Sequence, residues 1–297
     1  MRTLRPSSVA LAAALSLTLA ACGGSDDEGG DDSAAAPEPA ASFPADSRMA
    51  EIVEAGALKV GTKFDQPLFG LENLDGEPEG FDVDVAKLIG AKLGLSEDQI
   101  TFTETVSANR EPFLQQGQVD MVVATYTIND KRDMVIDFAG PYFLAGQDIL
   151  VKKGNPDAIE GPDDLAGKTV CSVAGSTPAG YVEEKIPDAE LVLVDAYTKC
   201  RDALQNGQVQ AVTTDNVILS GYVSEAPEEF ELVGEPFTEE PYGIGVPEGQ
   251  EAFCEFVNET LAEAAEDGSL QEAFDATAGE VIEKEITPLP ESRGCDS

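Results

Sequence analysis

The sequence predicts an α/β protein made of two lobes that face each other across a cleft. Strand-like and helix-like segments alternate from about residue 48, which is typical of mostly parallel sheets joined by crossover helices. The chain also contains an internal echo, because LQQGQVDMVVATYT at residues 114–127 returns as LQNGQVQAVTTDNV at residues 204–217. Each copy is typical of a helix end, a glycine turn and a buried strand that finishes in polar residues.

The first α/β set follows residue 48. Helices are indicated by apolar residues at helical spacing and strands by apolar runs or strict alternation. In order, we predict a helix (MAEIVEAGA), a strand (LKVGT), a helix (GFDVDVAKLIGAKLG), a strand (ITFTETV), a helix (REPFLQQG) and a strand (VDMVVATYT). Asn129 is then a good N-cap for NDKRDMVIDF, since its side-chain oxygen can accept a first-turn N–H.

An extended segment, GPYFLAGQDILVKKG, leads into the second set. The elements predicted after it are a short helix and strand (GPDDLAGKTVCSV), a helix (TPAGYVEEKI), a strand (AELVLVDAY), a helix (TKCRDALQNG), a strand (VQAVTTDN) and a helix (VILSGYVSE). A further extended crossing, YGIGVPEG, precedes two closing helices in QEAFCEFVNETLAEAAEDGSLQEAFDATAG.

The echoed strands end in polar residues, at 125–127 in the first copy and 213–215 in the second. Ligands of open α/β sheets lie beyond the carboxyl ends of the strands. If the lobes face each other, both polar ends therefore border one cleft. Coincidence is the alternative, because L-Q-x-G-Q-V is a simple way to end a helix and start a strand.

Composition excludes several classes of function. The chain has 297 residues, enough for two domains, and a formal net charge of −39, which opposes binding to nucleic acid phosphates. It contains no histidine, so neither a Ser-His-Asp triad nor a histidine-ligated zinc site can form. No phosphate-binding glycine loop is present. We therefore expect no cofactor, no metal and no nucleic acid partner.

The N-terminus is typical of an export signal. Two arginines precede an apolar run over residues 9–21, which is too short to span a bilayer and ends in LAAC. This pattern resembles a bacterial lipoprotein signal, in which residues 1–21 are removed and Cys22 becomes lipidated. An ordinary signal peptide with an incidental cysteine is the alternative. Residues 22–47 are acidic and lack apolar periodicity, so we expect a flexible tether.

Four cysteines remain after Cys22, and an even number outside the cytoplasm indicates disulfides. Three pairings can be written. We favour Cys171 with Cys200, both in the middle of the chain, and Cys254 with Cys295, both near its end. Cysteine-ligated metal is the alternative, although no C-x-x-C spacing supports it.

Five stretches resemble the extracellular solute-binding proteins of polar amino acid ABC importers: LKVGTKFDQP, EGFDVDVAKLIGAKLG, FLQQGQVDMVVATYTINDKRDMVIDFAGPYF, CSVAGSTPAG and PYGIGV. With the lipoprotein signal, the chain looks most like the glutamate-binding lipoproteins of Gram-positive importers. The resemblance implies a type II periplasmic-binding-protein-like fold with a ligand cleft between two lobes. It implies hinge strands near 147–152 and 241–246. Lobe 1 would be residues 48–147 plus 242–297, and lobe 2 residues 148–241.

The resemblance also implies how the amino acid backbone is held. Arg132 matches the arginine that takes the α-carboxylate through its planar guanidinium, with Thr125 and Thr127 nearby. Ser176 and Thr177, at a helix start on the other lobe, match a second carboxylate clamp. Taken alone, Arg132 would suit an exposed helix position, and the Ser-Thr pair would suit a simple N-cap.

Three more residues complete the expected site. Asp215 matches the family's ammonium acceptor, although alone it would suit a turn or a helix N-cap. Lys63 stands where binders of basic amino acids carry Asp, and Arg110 matches an arginine that contacts side-chain carboxylates. Either cation alone would suit an exposed surface charge. Together they favour glutamate over glutamine, with aspartate as a further candidate.

The expected function is therefore that of a non-enzymatic, monomeric, extracytoplasmic binding protein. It would be anchored to the membrane by lipid and would deliver L-glutamate, or the related aspartate or glutamine, to the permease subunits of an ABC importer. Two alternatives remain. One is a dehydratase-like enzyme that uses a cleft carboxylate as an acid. The other is a binding protein that serves a ligand sensor.

Overall fold

The structure, a computed structural model, describes residues 42–295. The predicted signal peptide, the lipidation site Cys22 and the tether up to residue 41 lie outside the described residues. Among residues 42–295, no helix is long and apolar enough to cross a bilayer.

Helices and strands alternate as the sequence predicts. Within the described range the helices are α1 (Arg48–Ala55), α2 (Phe81–Lys92), α3 (Arg110–Gln115), α4 (Asp130–Asp133), α5 (Thr177–Lys185), α6 (Tyr197–Gln205), α7 (Asn216–Glu225), α8 (Glu251–Asp267) and α9 (Ser269–Phe274). The strands are β1 (Leu58–Thr62), β2 (Asp65–Gln66), β3 (Gly70–Glu72), β4 (Pro78–Glu79), β5 (Ile100–Glu104), β6 (Met121–Thr127), β7 (Asp137–Ala145), β8 (Gln147–Lys152), β9 (Thr169–Val173), β10 (Glu190–Val194), β11 (Ala211–Asp215), β12 (Phe230–Leu232) and β13 (Glu240–Val246). The short helix predicted in GPDDLAGK is a 3-10 turn at Pro162–Leu165.

Two five-stranded sheets form the two lobes. Sheet 1 has the order β5-β1-β6-β13-β7, and sheet 2 has the order β10-β9-β11-β8-β12. In each sheet the first three strands are parallel and the last two run antiparallel to their neighbours. We call the parts packed around sheet 1 and sheet 2 lobe 1 and lobe 2. A small sheet of β2, β3 and β4 packs on α2 in lobe 1.

The echoed segments occupy equivalent positions in the two sheets. Both echoed strands, β6 and β11, lie third in their sheet's order. Each follows a glycine turn with positive φ, 63° at Gly117 and 70° at Gly207, a conformation that glycine adopts without steric cost. The next N–H groups close both turns alike, with Gln118 bonded to Phe113 O at 2.9 Å and Gln208 to Ala203 O at 2.8 Å. The repeated sequence therefore forms the same helix end, turn and strand at the same position in both sheets.

The chain crosses between the two sheets at Gly146, between β7 and β8, and again over residues 233–239, before β13. The expected hinge strands are thus members of sheets, and the crossings lie just before them. The crossings contact each other, since Gln147 N–H donates to Thr238 Oγ1 at 3.0 Å. A Cβ at Gly146 would lie 2.6 Å from Thr238 O, so only glycine permits this approach.

Both disulfides have the pairing that the sequence favours. Cys171–Cys200 joins β9 to α6 in lobe 2, and both cysteines are fully buried. Cys254–Cys295 joins α8 to the C-terminal segment in lobe 1. Each pair closes a loop within one lobe, so neither restrains movement of one lobe against the other.

Candidate functional site

A cavity lies between the lobes at the carboxyl ends of β6 and β11. Its volume is about 10 Å³, which is room for about one water molecule, so the lobes are tightly closed around it. Six of the eight residues that the sequence predicts for the site line it: Arg110, Thr125, Thr127, Ser176, Thr177 and Asp215. The two others, Lys63 and Arg132, are buried beside it. Lys63 contacts the lining residue Ser107, and Arg132 contacts the lining residue Thr127.

Thr125 holds an unusual backbone conformation in the wall from lobe 1. Its φ is 43°, which is costly for a β-branched residue. Its N–H donates to Asp82 Oδ2 at 2.7 Å, and the Tyr142 hydroxyl donates to Asp82 Oδ1 at 2.6 Å. Its hydroxyl donates to Gln66 Oε1 at 2.9 Å. Burial raises the pKa of Asp82 to about 7. The carboxyl that holds the strained Thr125 peptide is therefore itself shielded from water.

Arg110, the first residue of α3, places its guanidinium directly against the cavity. Nη1 donates to Ala124 O at 3.1 Å, and Nε donates to Ser107 O at 3.3 Å. The guanidinium carbon also lies 4.1 Å from the ring centroid of Tyr126, a distance typical of cation–π contact. Arg110 is 2% exposed, yet these partners are neutral. Its charge is therefore held in place without a carboxylate in hydrogen-bonding contact.

Lys63 follows β1 and lies behind this wall. Its Nζ donates to Ser107 Oγ at 2.9 Å, and Ser107 lines the cavity. Burial, and then the charge of Arg110, lower the pKa of Lys63 to about 7. An anion in the cavity would offset both effects.

Arg132, which is expected to take the α-carboxylate, has its guanidinium bonded within the protein. It does not line the cavity but a neighbouring groove between the lobes, beside Ser107 and Ser176. Nη1 donates to Thr127 O at 2.6 Å, Nη2 donates across the cleft to Gly175 O at 3.0 Å, and Nε lies 3.3 Å from Glu111 Oε1. Burial and the charge of Arg110 lower the pKa of Arg132 to about 10. Arg132 therefore lies next to the cavity. Two of its five N–H groups take no part in these three contacts.

The N-terminus of α5 forms part of the wall from lobe 2. Ser176 is its N-cap, and its hydroxyl accepts from Ala179 N at 3.1 Å. Thr177 is the first helical residue and donates to Glu240 Oε2 at 2.7 Å, while its oxygen lies 3.3 Å from that of Thr127. The simple N-cap role is therefore real for Ser176, and it coexists with a place in the cavity wall.

Asp215 faces the cavity from the end of β11. Its side chain does not cap α7, although its position is that of an N-cap. The Tyr242 hydroxyl donates to Oδ2 at 2.6 Å, whereas the buried Oδ1 has no partner in the described part of the chain. Burial and the charge of Glu240 raise the pKa of Asp215 to about 8. A buried carboxyl with one unpartnered oxygen suits a cationic group of a ligand.

Sequence reasoning did not single out four further polar residues that line the cavity: Gln66, Ser107, Tyr197 and Thr214. Gln66 Nε2 and Thr214 Oγ1 are buried and have no hydrogen-bond partner among the residues that the structure describes, so both can meet a ligand. Gln66 stands in the GTKFDQP motif, which was the available signal. Thr214 lies on a fully buried strand, where alternation does not separate core from cavity.

Comparisons with known proteins agree with this geometry. Residues 58–279 match the model of the bacterial extracellular solute-binding proteins, family 3. The glutamate-binding protein GluB of Corynebacterium glutamicum is 40% identical over 80% of this chain and 84% of its own. The ABC transporter glutamine-binding protein GlnH of Bacillus subtilis is 39% identical over 87% of this chain and 91% of its own.

The fold has solved counterparts. An ancestral arginine-binding protein bound to glutamine is 37% identical, with a TM-score of 0.71 over 75% of this chain and 98% of that one. This similarity confirms the predicted type II periplasmic-binding-protein fold. The curated relatives named above are binding proteins rather than enzymes. The chain therefore belongs to the bacterial extracellular solute-binding proteins of family 3.

Proposed function

We propose that the protein binds L-glutamate between its lobes outside the cytoplasm and delivers it to the permease of an ABC importer. The observation that carries the proposal is the distribution of buried charge around the cavity. Lys63, Arg110 and Arg132 lie on the lobe 1 side, each no more than 6% exposed. Asp215, with an unpartnered oxygen, lies on the lobe 2 side.

This distribution complements glutamate, which carries two carboxylates and one ammonium. Arg132, together with Thr127 and the start of α5, would hold the α-carboxylate. Lys63 and Arg110 would meet the side-chain carboxylate. Buried cations cost free energy unless an anion compensates them, so a dicarboxylate removes a penalty that the protein otherwise bears.

Asp215 would accept from the ligand ammonium through Oδ1, which has no partner among residues 42–295. Gln66 Nε2 would donate to a ligand oxygen, and Thr214 Oγ1 would complete the polar wall. These unpartnered atoms support a zwitterionic ligand, because each of them needs a partner of the matching kind.

Glutamine is the competing ligand, since one relative is named for glutamate and another for glutamine. Glutamine is similar in size but has a neutral side chain. It would bring no carboxylate to Lys63 and Arg110 from the ligand side of a dry site, which favours glutamate. Aspartate has the required charge but is one methylene shorter.

The lipid anchor is part of the proposal. Residues 1–21 would be the signal peptide, Cys22 the lipidated residue and residues 22–47 the tether that links the binding lobes to the membrane. Expression of the full chain in a bacterium that processes lipoproteins tests this. Wild type should enter the membrane fraction and Cys22→Ala should not; equal partition of both would contradict the anchor.

Calorimetric titration of Lys63→Met with glutamate and glutamine at pH 6.5 tests the charge argument. We expect glutamate to bind at least tenfold more weakly, about 1.4 kcal/mol, with little change for glutamine. Lys59→Met is the matched control, because Lys59 lies on β1, the strand that Lys63 follows, but is exposed. An equal loss for both ligands would place Lys63 away from the ligand side chain.

A further inference from the structure

We propose that Asp65 is a positioning residue that caps α6 of the opposite lobe when the lobes are closed, and so strengthens the binding of any amino acid in the cavity. The proposal rests on the proposed function, in which the ligand is held between the lobes. Asp65 belongs to β2 in lobe 1, and α6 belongs to lobe 2. Asp65 lines neither the cavity nor the large groove beside Arg132.

The contact is a helix cap supplied from across the cleft. Asp65 Oδ2 accepts from the backbone N–H of Tyr197 at 2.6 Å. Tyr197 is the first residue of α6, and the preceding N-cap position is Ala196, whose side chain cannot accept a hydrogen bond. The first N–H groups of a helix have no partners within it, and the N-terminus carries a partial positive charge. A carboxylate from lobe 1 therefore satisfies a need that the sequence of α6 leaves open.

Two further contacts seat the same segment against lobe 2. The Tyr222 hydroxyl of α7 donates to Asp65 O at 2.6 Å. Gly221 approaches so closely that a Cβ there would lie 2.7 Å from Pro67 O. Residues 65–67 thus lie against both α6 and α7, and contact with α7 requires a residue without a side chain.

The position of this contact connects it to ligand binding. Tyr197 donates the capping hydrogen bond and Gln66 follows Asp65 in the sequence, and both residues line the cavity. When the lobes separate, the cap is lost and the N-terminus of α6 returns to water. Because Asp65 is outside the cavity wall, its loss should weaken the binding of both glutamate and glutamine, mainly through faster release.

Interlobe Förster transfer and calorimetry on three variants test the proposal. Dyes on Glu255→Cys in α8 and Glu184→Cys in α5 report lobe closure, and both positions are exposed. Asp65→Ala should lower the closed fraction and weaken both amino acids about fivefold, the effect of losing one helix cap. Asp65→Asn keeps an acceptor and should restore most of the affinity, which separates capping from charge. Asp188→Ala removes an exposed carboxylate of lobe 2 that lies outside α6 and should change neither reading.

Gly221→Ala provides a second, independent variant. Alanine is the better helix former, so the fold should survive, but its methyl group meets Pro67 O and should lower the closed fraction. An unchanged closed fraction in both Asp65→Ala and Gly221→Ala would overturn the proposal, as would unequal losses for glutamate and glutamine in Gly221→Ala, which changes no charge. Förster transfer is also read without added amino acid. A wild type that binds neither amino acid would overturn the proposed function, while the ligand-free transfer still decides the role of Asp65.

Discussion

At the scale of single residues, the site consists of charged groups held in unfavourable surroundings. Burial lowers the pKa of Lys63 and raises the pKa values of Asp82 and Asp215. For Lys63 and Asp215, the shift means that the folded protein disfavours the charged form that would pair with an amino acid. Such groups cost stability in the free protein, and binding of a complementary ligand offsets that cost.

Asp215 gives a direct test of this cost. Its pKa is raised to about 8 in the folded protein, above the unfolded value. Its contribution to stability is therefore full below the unfolded pKa and is lost as pH rises from about 4 to about 8. We expect Asp215→Asn to be more stable than wild type without ligand, by on the order of 2–4 kcal/mol at pH 8 and little at pH 4. The same variant should lose amino acid binding.

Denaturant unfolding at pH 4, 6 and 8 measures this difference. Asp195→Asn serves as the control, because Asp195 is exposed and the hydrogen bond from Lys199 lowers its pKa. Asp195→Asn should gain no stability relative to wild type as the pH rises. A constant difference between Asp215→Asn and wild type across the three pH values would contradict the account.

Residues at recognisable motif positions could be predicted from the sequence, whereas features that depend on contacts between distant residues could not. Arg110, Thr127 and Asp215 occupy recognisable motif positions, and the structure brings them to one cavity. The positive φ of Thr125 was not predictable, because it depends on the buried carboxyl of Asp82, 43 residues earlier. The hydrogen bond of Arg132 to Gly175 likewise depends on how the lobes meet.

At the scale of helices and strands, length decided what could be predicted. Strands of five or more residues show a clear apolar pattern, as β6 and β11 do. The strands β2, β3 and β4 have only two or three residues, too few to display a period, and sequence analysis did not find them. The helix after Asn129 is a single turn, shorter than predicted. Met134 is exposed rather than part of an apolar helix face, and the chain then enters β7.

The two disulfides should differ in how easily they are reduced. Cys171, Cys200 and Cys254 are fully buried, whereas Cys295 is half-buried in a segment that has no regular secondary structure. Under native conditions, mild thiol reductant should therefore open Cys254–Cys295 first. Alkylation followed by mass spectrometry identifies the reduced pair, and earlier labelling of Cys171–Cys200 would contradict the prediction. Removal of the buried pair by Cys171→Ala with Cys200→Ala should cost about 2–4 kcal/mol of stability.

At the scale of the whole molecule, the two-lobe arrangement followed from the echo and from the family resemblance together. The echo predicts equivalent strands, and the structure places them third in each sheet. It does not predict where the chain crosses between lobes. That position depends on the contact of Gly146 with Thr238, which joins residues far apart in sequence.

The net charge of −39 should slow the approach of an anionic ligand. Salt screens this repulsion, since the Debye length falls to about 8 Å at physiological ionic strength. We therefore expect the association rate of glutamate to rise between 20 and 200 mM salt, by about twofold or more. Glutamine, which has no net charge, is the control and should show no such rise. A glutamate rate that falls with salt would mean that the buried cations dominate the field at the entrance.

The central claim is that buried cations on lobe 1 and a carboxyl on lobe 2 select a dicarboxylic amino acid. Calorimetric titration of the wild-type protein with glutamate, glutamine and aspartate at pH 7 tests it most directly. The account predicts glutamate binding at about micromolar Kd or tighter, near −8 kcal/mol, and at least tenfold weaker binding of glutamine. Glutamine binding as tight as glutamate binding would contradict it.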